Sequence, residues 1–215
     1  MLLIFDWDGT LCDSKAKITR SMQMAAEDLG WQPLDDVAIH NIIGLGLPEA
    51  ISRLYPNASD KERQQIRDAY AKRFIELDLA QPSILFSGVE EGLKKLKENG
   101  HHLAIATGKS RKGLDRLFEA MNLNSFFHAT RCADETASKP HPLMLEELVK
   151  EFQVLPHEAI MMGDTEYDLE MAQKINMPSV AVSYGAHHIS RLKPFAPVLC
   201  IDHFSEFLVW DKLSL

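Results

Sequence analysis

Long apolar runs are missing from this chain. No stretch reaches the roughly 18 residues that a membrane-spanning helix needs. Cysteine is scarce. The three, Cys12, Cys132 and Cys200, lie far apart and are odd in number, which argues against a disulfide framework and predicts a reducing, cytoplasmic setting. Basic residues are in deficit: 23 Lys+Arg against 31 Asp+Glu leave a net charge of −8, which excludes a general nucleic-acid-binding surface. The start, Met1-Leu2-Leu3-Ile4-Phe5, carries no basic residue ahead of its apolar stretch and then meets Asp6, so no secretory leader is expected. Internal repeats and low-complexity tracts are absent as well. What is there is ordinary for a globular protein: 215 residues, 46% hydrophobic and 25% charged, enough for a full core in one or two domains.

Short apolar segments predict strands at Leu2 to Phe5, Leu103 to Ala106, Ala159 to Met162, Ser179 to Val182 and Val198 to Ile201. Helical repeats lie between most of them. Val89, Leu93 and Leu96 make one apolar face, with Ser87 and Glu90 spaced as a capping box ahead of it and Gly100 as its stop. Leu114, Leu117, Phe118 and Met121 make another, and Pro142 is placed to open a third that carries Leu145, Leu148, Val149 and Phe152. Strands alternating with helices predict a parallel sheet with crossover helices, an α/β layered fold that binds ligands at the carboxyl ends of its strands.

The alternation breaks once, between Lys15 and Pro82. Ile18, Met22, Ala25 and Leu29 share one helical face, and Ile66, Tyr70, Phe74 and Leu77 share another behind a capping box at Ser59 and Glu62. This reads as a helical domain inserted after the first strand, over residues 15–82, with residues 1–14 and 83–215 forming a discontinuous α/β core. The insert holds 9 basic and 10 acidic residues, so the core carries most of the negative charge.

Four motifs follow strand candidates or lie in the loops beyond them. Asp6-Trp7-Asp8-Gly9-Thr10 sets two acids in the loop after the first strand, where a plain capped turn explains the glycine but not the doubled acid. Thr107 with Gly108 after the second strand offers a hydroxyl and free amides to a phosphate; taken alone, Thr107 is better read as part of a helix N-cap. Gly108-Lys109-Ser110 mimics the end of a P-loop, but Leu103 stands where that motif needs glycine. Ser138-Lys139-Pro140 holds a cation between a loop and a proline-started helix, although Lys139 taken alone reads as a solvated surface lysine. Gly163-Asp164-Thr165-Glu166-Tyr167-Asp168 repeats the grammar of strand followed by acids, with Asp164 and Asp168 four apart; helix capping accounts for one of them more easily than for both. Carboxylates crowded at one edge repel by roughly 4 kcal/mol per pair at about 4 Å in an effective dielectric of about 20, so a cation must sit among them. Oxygen donors alone select a hard ion, and Mg²⁺ is the natural choice.

The ordered set Asp6-x-Asp8-Gly9-Thr10, Thr107, Lys139 and Gly163-Asp164-x-x-x-Asp168 resembles the haloacid dehalogenase (HAD) superfamily, and the helical insert looks like the cap of its phosphoglycolate-phosphatase-like branch. The resemblance implies a Rossmann-like parallel sheet with an inserted α-helical cap lying over the strand ends. It implies a Mg²⁺-dependent phosphatase acting on a small phosphorylated metabolite. Asp6 would be the nucleophile and Asp8 the acid and then the base. Asp6, Asp164 and the Asp8 backbone carbonyl would hold the metal, and Asp168 would support the metal site or orient Lys139. Thr107, Gly108 and Lys139 would bind the phosphoryl group.

Asp8 counts against dehalogenation and against the phosphonate-cleaving branch of the family. A sugar-phosphate mutase, a pyrophosphatase and, outside enzymes, a regulatory protein on the same fold stay open at this point. The segment Gly44-Leu45-Gly46 is the best candidate for a cap loop facing the site, and an ordinary helix connection is an equal reading. Its lack of basic residues suggests a small leaving group with few charges. Arg53, one turn past Glu49, reads as solvated sooner than as a substrate contact. The pairs His101-His102 and His187-His188 have no partner at metal-ligand spacing. Two positions depart from the family pattern: Ser87 for the usual proline, and Gly108 for the usual asparagine.

Overall fold

The computed structural model describes residues 1–214. Its strands are β1 (Leu2–Phe5), β2 (His102–Thr107), β3 (Ala129–Cys132), β4 (Ala159–Gly163), β5 (Ser179–Val182) and β6 (Leu199–Ile201). They form one sheet in the order β3-β2-β1-β4-β5-β6, with every neighbouring pair parallel. Between β1 and β2 come α1 (Lys15–Asp28), α2 (Asp36–His40), α3 (Leu47–Leu54), α4 (Asp60–Ala80) and α5 (Val89–Glu98). The later helices are α6 (Arg111–Ala120), α7 (Leu143–Glu151), α8 (Glu166–Gln173), α9 (Ile189–Leu192) and α10 (Phe204–Phe207).

The sheet is covered on both faces, which is why β1 reads as an unbroken apolar run. Successive side chains alternate across a strand. Leu3 and Phe5 join Leu103, Ile105, Leu93, Leu114 and Phe204 on one face. Leu2 and Ile4 join Ala104, Met161, Leu145 and Met171 on the other. The strand order reverses at β1, with β2 on one side and β4 on the other, so the crevice above their carboxyl ends is the topological switch point where α/β sheets bind ligands.

Helices α1 to α4 form a layer with a core of its own, built from Ile18, Met22, Ala25, Ile39, Ile51 and Ile66 and joined by Tyr167 from α8. The chain enters and leaves this layer side by side: Asp13 N–H donates to the Ile84 carbonyl and Phe86 N–H to that of Leu11, both at 2.9 Å. The architecture is therefore α/β, a Rossmann-like parallel sheet with an inserted helical cap. Among the described residues no helix is long and apolar enough to cross a membrane.

Two differences from the sequence reading have local causes. Strand β3 was not among the expected segments. It is an edge strand whose Thr130 and Arg131 are half-buried, so it lacks the apolar run that marks its neighbours. The capping box expected at Ser87 and Glu90 does not form. Helix α5 starts one residue later, with Gly88 at its N-cap at φ 78° and no side-chain cap, and Glu90 pairs with Lys94 instead. The box at Ser59 and Glu62 does form, at the start of α4.

Candidate active site

Asp6 follows the last residue of β1 and extends its pairing, its N–H donating to the Met162 carbonyl at 2.9 Å. Trp7 is fully buried in the core against Phe118 and Phe127, with ring centroids at 5.2 and 6.4 Å. Anchoring this large residue between the two acids fixes the segment that carries both. Gly9, at φ 85°, closes the turn; a Cβ there would stand 2.2 Å from Asp164 Oδ2, so only glycine fits. Asp164 comes off the end of β4. Its Oδ1 accepts from the Thr10 hydroxyl at 3.0 Å and its Oδ2 from the Ala186 N–H at 2.6 Å.

Asp168 lies in the first turn of α8. Its Oδ2 accepts from the Thr165 amide at 3.1 Å and the Thr165 hydroxyl at 2.8 Å, a capping box, while its Oδ1 faces Lys139 Nζ at 2.6 Å. Helix capping and the ion pair are thus served by opposite oxygens of one carboxylate. Lys139, only 1% exposed, also donates to Asp6 Oδ1 at 2.5 Å. One buried cation therefore links two buried carboxylates.

Carboxylate oxygens of Asp6, Asp164 and Asp168 come within 4.8 Å of one another. Burial pushes the Asp6 carboxyl well above its usual range; Lys139 opposes this and the neighbouring acids add to it. Burial and Asp168 push Asp164 up in the same way. Lys139 is shifted upward because the two carboxylates outweigh its own burial. Ionised together, the three acids would hold more negative charge than one lysine neutralises. Asp6 Oδ2 is buried with no hydrogen-bond partner among the described residues, an arrangement that costs free energy unless a further cation or ligand meets it. An all-oxygen donor set with an unpartnered buried oxygen fits Mg²⁺.

The side chain of Asp8 stands outside this trio. Its Oδ1 accepts from the Ser14 hydroxyl at 2.6 Å, and its Oδ2 faces Lys109 Nζ at 3.0 Å. Thr107 ends β2 fully buried, its Oγ1 accepting from the Lys109 amide at 3.2 Å. Gly108 lies directly under the cap: a Cβ there would stand 2.5 Å from the carbonyl oxygens of both Gly44 and Leu45. The Gly46 N–H donates to the Ser138 hydroxyl at 2.9 Å, so the segment 44–46 faces the site. Arg53 pairs with Glu49 at 2.8 Å and packs on the Tyr167 ring. His187 accepts from the Glu166 N–H at 3.2 Å, and the group of possible metal ligands among the described residues contains no histidine.

Sequence reasoning missed Thr10, Ser14, Lys109 and Thr165 as partners of the acids. Thr10 lies inside the first motif, and Lys109 follows Thr107 by two residues, so both carried a signal. Ser14 marked only the domain boundary, and Thr165 carried no signal of its own within its motif.

With this geometry in view, comparison with known proteins gives a consistent result. The family model of haloacid dehalogenase-like hydrolases matches residues 3–182. The chain is 37% identical over 209 residues to a protein named "Probable phosphatase IndB" of Dickeya dadantii, covering 95% of this chain and 90% of that one. It is 29% identical over 218 residues to a phosphoglycolate phosphatase of Colwellia psychrerythraea, covering 97% and 95%. A crystal structure described as a predicted phosphoglycolate phosphatase from Haemophilus somnus superposes with a TM-score of 0.88 at 23% identity, covering 100% of this chain and 97% of that one. The chain belongs to the haloacid dehalogenase-like hydrolase family. Within it, the chain is an enzyme of the phosphatase class, of the phosphoglycolate-phosphatase-like type.

Proposed function

We propose that this protein is a Mg²⁺-dependent phosphatase that hydrolyses a small phosphomonoester through an aspartyl-phosphate on Asp6. The observation that carries this reading is Asp6 itself: a buried carboxylate at the switch point, one oxygen on Lys139 and the other without a hydrogen-bond partner among the described residues. Residues 15–82 act as the cap over a core of residues 1–14 and 83–215. The hydrogen-bonded entry and exit segments and the separate apolar core of the helical layer support that division.

The Asp6 carboxylate attacks phosphorus, forming the aspartyl-phosphate as the ester P–O bond breaks. Asp8 gives its proton to the departing alkoxide and becomes a carboxylate. It then takes a proton from the water that attacks the aspartyl-phosphate, whose cleavage returns Asp6 as a carboxylate and releases inorganic phosphate. The contacts to Ser14 and Lys109 hold Asp8 in place for both transfers. The Thr107 hydroxyl and the Gly108 amide bind phosphoryl oxygens, and Lys139 offsets charge on the transferring group. Asp168 keeps Lys139 on Asp6. Asp6, Asp164 and the backbone carbonyl of Asp8 would hold Mg²⁺, which supplies positive charge against the repulsion between two anions. The three free cysteines, two of them buried, support work in a reducing compartment, the cytoplasm. The net charge of −8 supports a small phosphorylated partner over nucleic acid.

The test is phosphate release from a range of phosphomonoesters with Mg²⁺ or EDTA, with Asp6→Asn beside the unaltered protein. Release is expected to need Mg²⁺ and to fall by more than about a thousandfold in the variant. Release that survives the substitution would overturn the mechanism.

A further inference from the structure

We propose that the alcohol half of the substrate is an apolar, ring-sized group seated in the cavity between the cap and α6. This rests on the phosphatase reading above and narrows its substrate class. The cavity has a volume of about 380 Å³ and reaches the site at Asp8 and Gly108. A leaving group on a phosphate held by Thr107 and Gly108, with its oxygen at Asp8, has this cavity open beside it. Ile18, Met22, Ile43 and Leu45 line its walls, with the rings of Tyr70 and Phe74. A dry apolar cavity of roughly 150 Å³ takes one benzene, so this volume holds a substituted or fused ring.

The cations nearby argue the same way. Lys109 Nζ is paired with Asp8 and lies 4.6 Å from the centroid of the Phe74 ring. Arg116 is paired with Asp78 at 2.7 Å. Lys112 lines the cavity but is solvent-exposed, so it answers a charge at the rim and not one at depth. A carboxylate such as that of glycolate, or a polyhydroxylated sugar, would find only the Tyr70 hydroxyl and the already paired Lys109 as buried side-chain donors along the lining, too few to replace the water it sheds. An apolar ring loses little water there and covers aromatic and aliphatic wall. The segment 44–46, which carries no charge, contributes backbone and Leu45 to the same wall.

Benzyl phosphate, phosphoglycolate, glycerol 3-phosphate and glucose 6-phosphate all release a primary alcohol, so ranking their kcat/KM values isolates recognition of the leaving group. Acetyl phosphate serves as the substrate too small to fill the cavity. Benzyl phosphate is expected to lead by at least about tenfold, the scale on which apolar pockets discriminate. Ala71, an exposed residue of α4 that lines the cavity, is changed by Ala71→Trp to fill it. The variant is expected to lose at least about tenfold on benzyl phosphate and less than about twofold on acetyl phosphate. Phosphoglycolate or either polyol ester in the lead would overturn the inference and leave the phosphatase reading standing. Equal losses on both substrates in Ala71→Trp would overturn the seating of the leaving group in this cavity. Silence on every substrate, acetyl phosphate included, would overturn the phosphatase reading and the inference with it.

Discussion

Replacing Gly108 with alanine adds one carbon at the point where cap and core meet. That carbon would stand 2.5 Å from the Gly44 and Leu45 carbonyl oxygens and 2.8 Å from the Leu45 carbonyl carbon, where ordinary contact begins near 3.4 Å. All three neighbours are backbone, so no side chain can swing aside, and the loop must back away by about 0.9 Å. Overpacking of this kind costs about 1–3 kcal/mol. Retreat of the loop also disturbs the bond from Gly46 to Ser138, next to Lys139. A displacement of about 1 Å in a positioning element costs up to about a hundredfold in rate. Gly108→Ala is therefore expected to lower kcat/KM by about 10–100-fold and to lower Tm by a few degrees, at about 2–4 °C per kcal/mol for a chain of this size. Gly113→Ala is the control: its Cβ would meet only Ser110 Oγ, at 3.2 Å. Steady-state kinetics and thermal melts on both variants decide the matter. Gly108→Ala with unaltered kcat/KM and Tm would refute the claim that the cap loop bears directly on the site.

Lys139→Met leaves Asp6, Asp164 and Asp168 buried without their cation, and breaking a buried pair from one side costs about 3–5 kcal/mol. Activity should vanish, and Mg²⁺ should raise Tm more in the variant than in the unaltered protein; an equal Mg²⁺ effect would count against a shared acidic site. Asp78 ties the cap to the core, accepting from Lys17 and Ser83 on one oxygen and from Arg116 on the other. Burial opposes its ionisation, yet these hydrogen bonds win and hold its carboxyl down at about 2, below the ordinary 3.8. A depressed carboxyl stabilises the fold above its unfolded pKa, and that stability disappears as pH falls through the folded value. The gain of about 2 kcal/mol should be complete above about pH 5 and mostly gone by about pH 2. The gap in urea midpoint between the unaltered protein and Asp78→Ala should shrink across that window; a constant gap would refute the pairing.

The parts of the fold legible in the sequence were those with a strong local pattern. β1 has four apolar residues in a row because the sheet is covered on both faces, and its bounds matched the expectation. α4 declared itself through Ser59 and Glu62. β3 was invisible because an edge strand can carry Thr130 and Arg131, and Ser87 misled because spacing alone does not say where a helix starts. The acids and Lys139 were readable as motifs, but their division of labour was not. That Asp168 caps its helix with one oxygen and holds Lys139 with the other depends on contacts between residues far apart in the chain. The cavity lining comes from five separate segments of the chain, and the cations Lys109, Lys112 and Arg116 reach it from α6 and the loop before it, which the uncharged cap loop alone did not foretell.

The central claim is that phosphate passes through Asp6. Acid quench of the enzyme during turnover of a phosphate-labelled ester, with Mg²⁺ present, followed by peptide analysis, tests it most directly. The account predicts a phosphoryl group on the peptide containing Asp6, formed as fast as turnover and absent from Asp6→Asn. Steady turnover with label on no peptide, or on a peptide without Asp6, would contradict it.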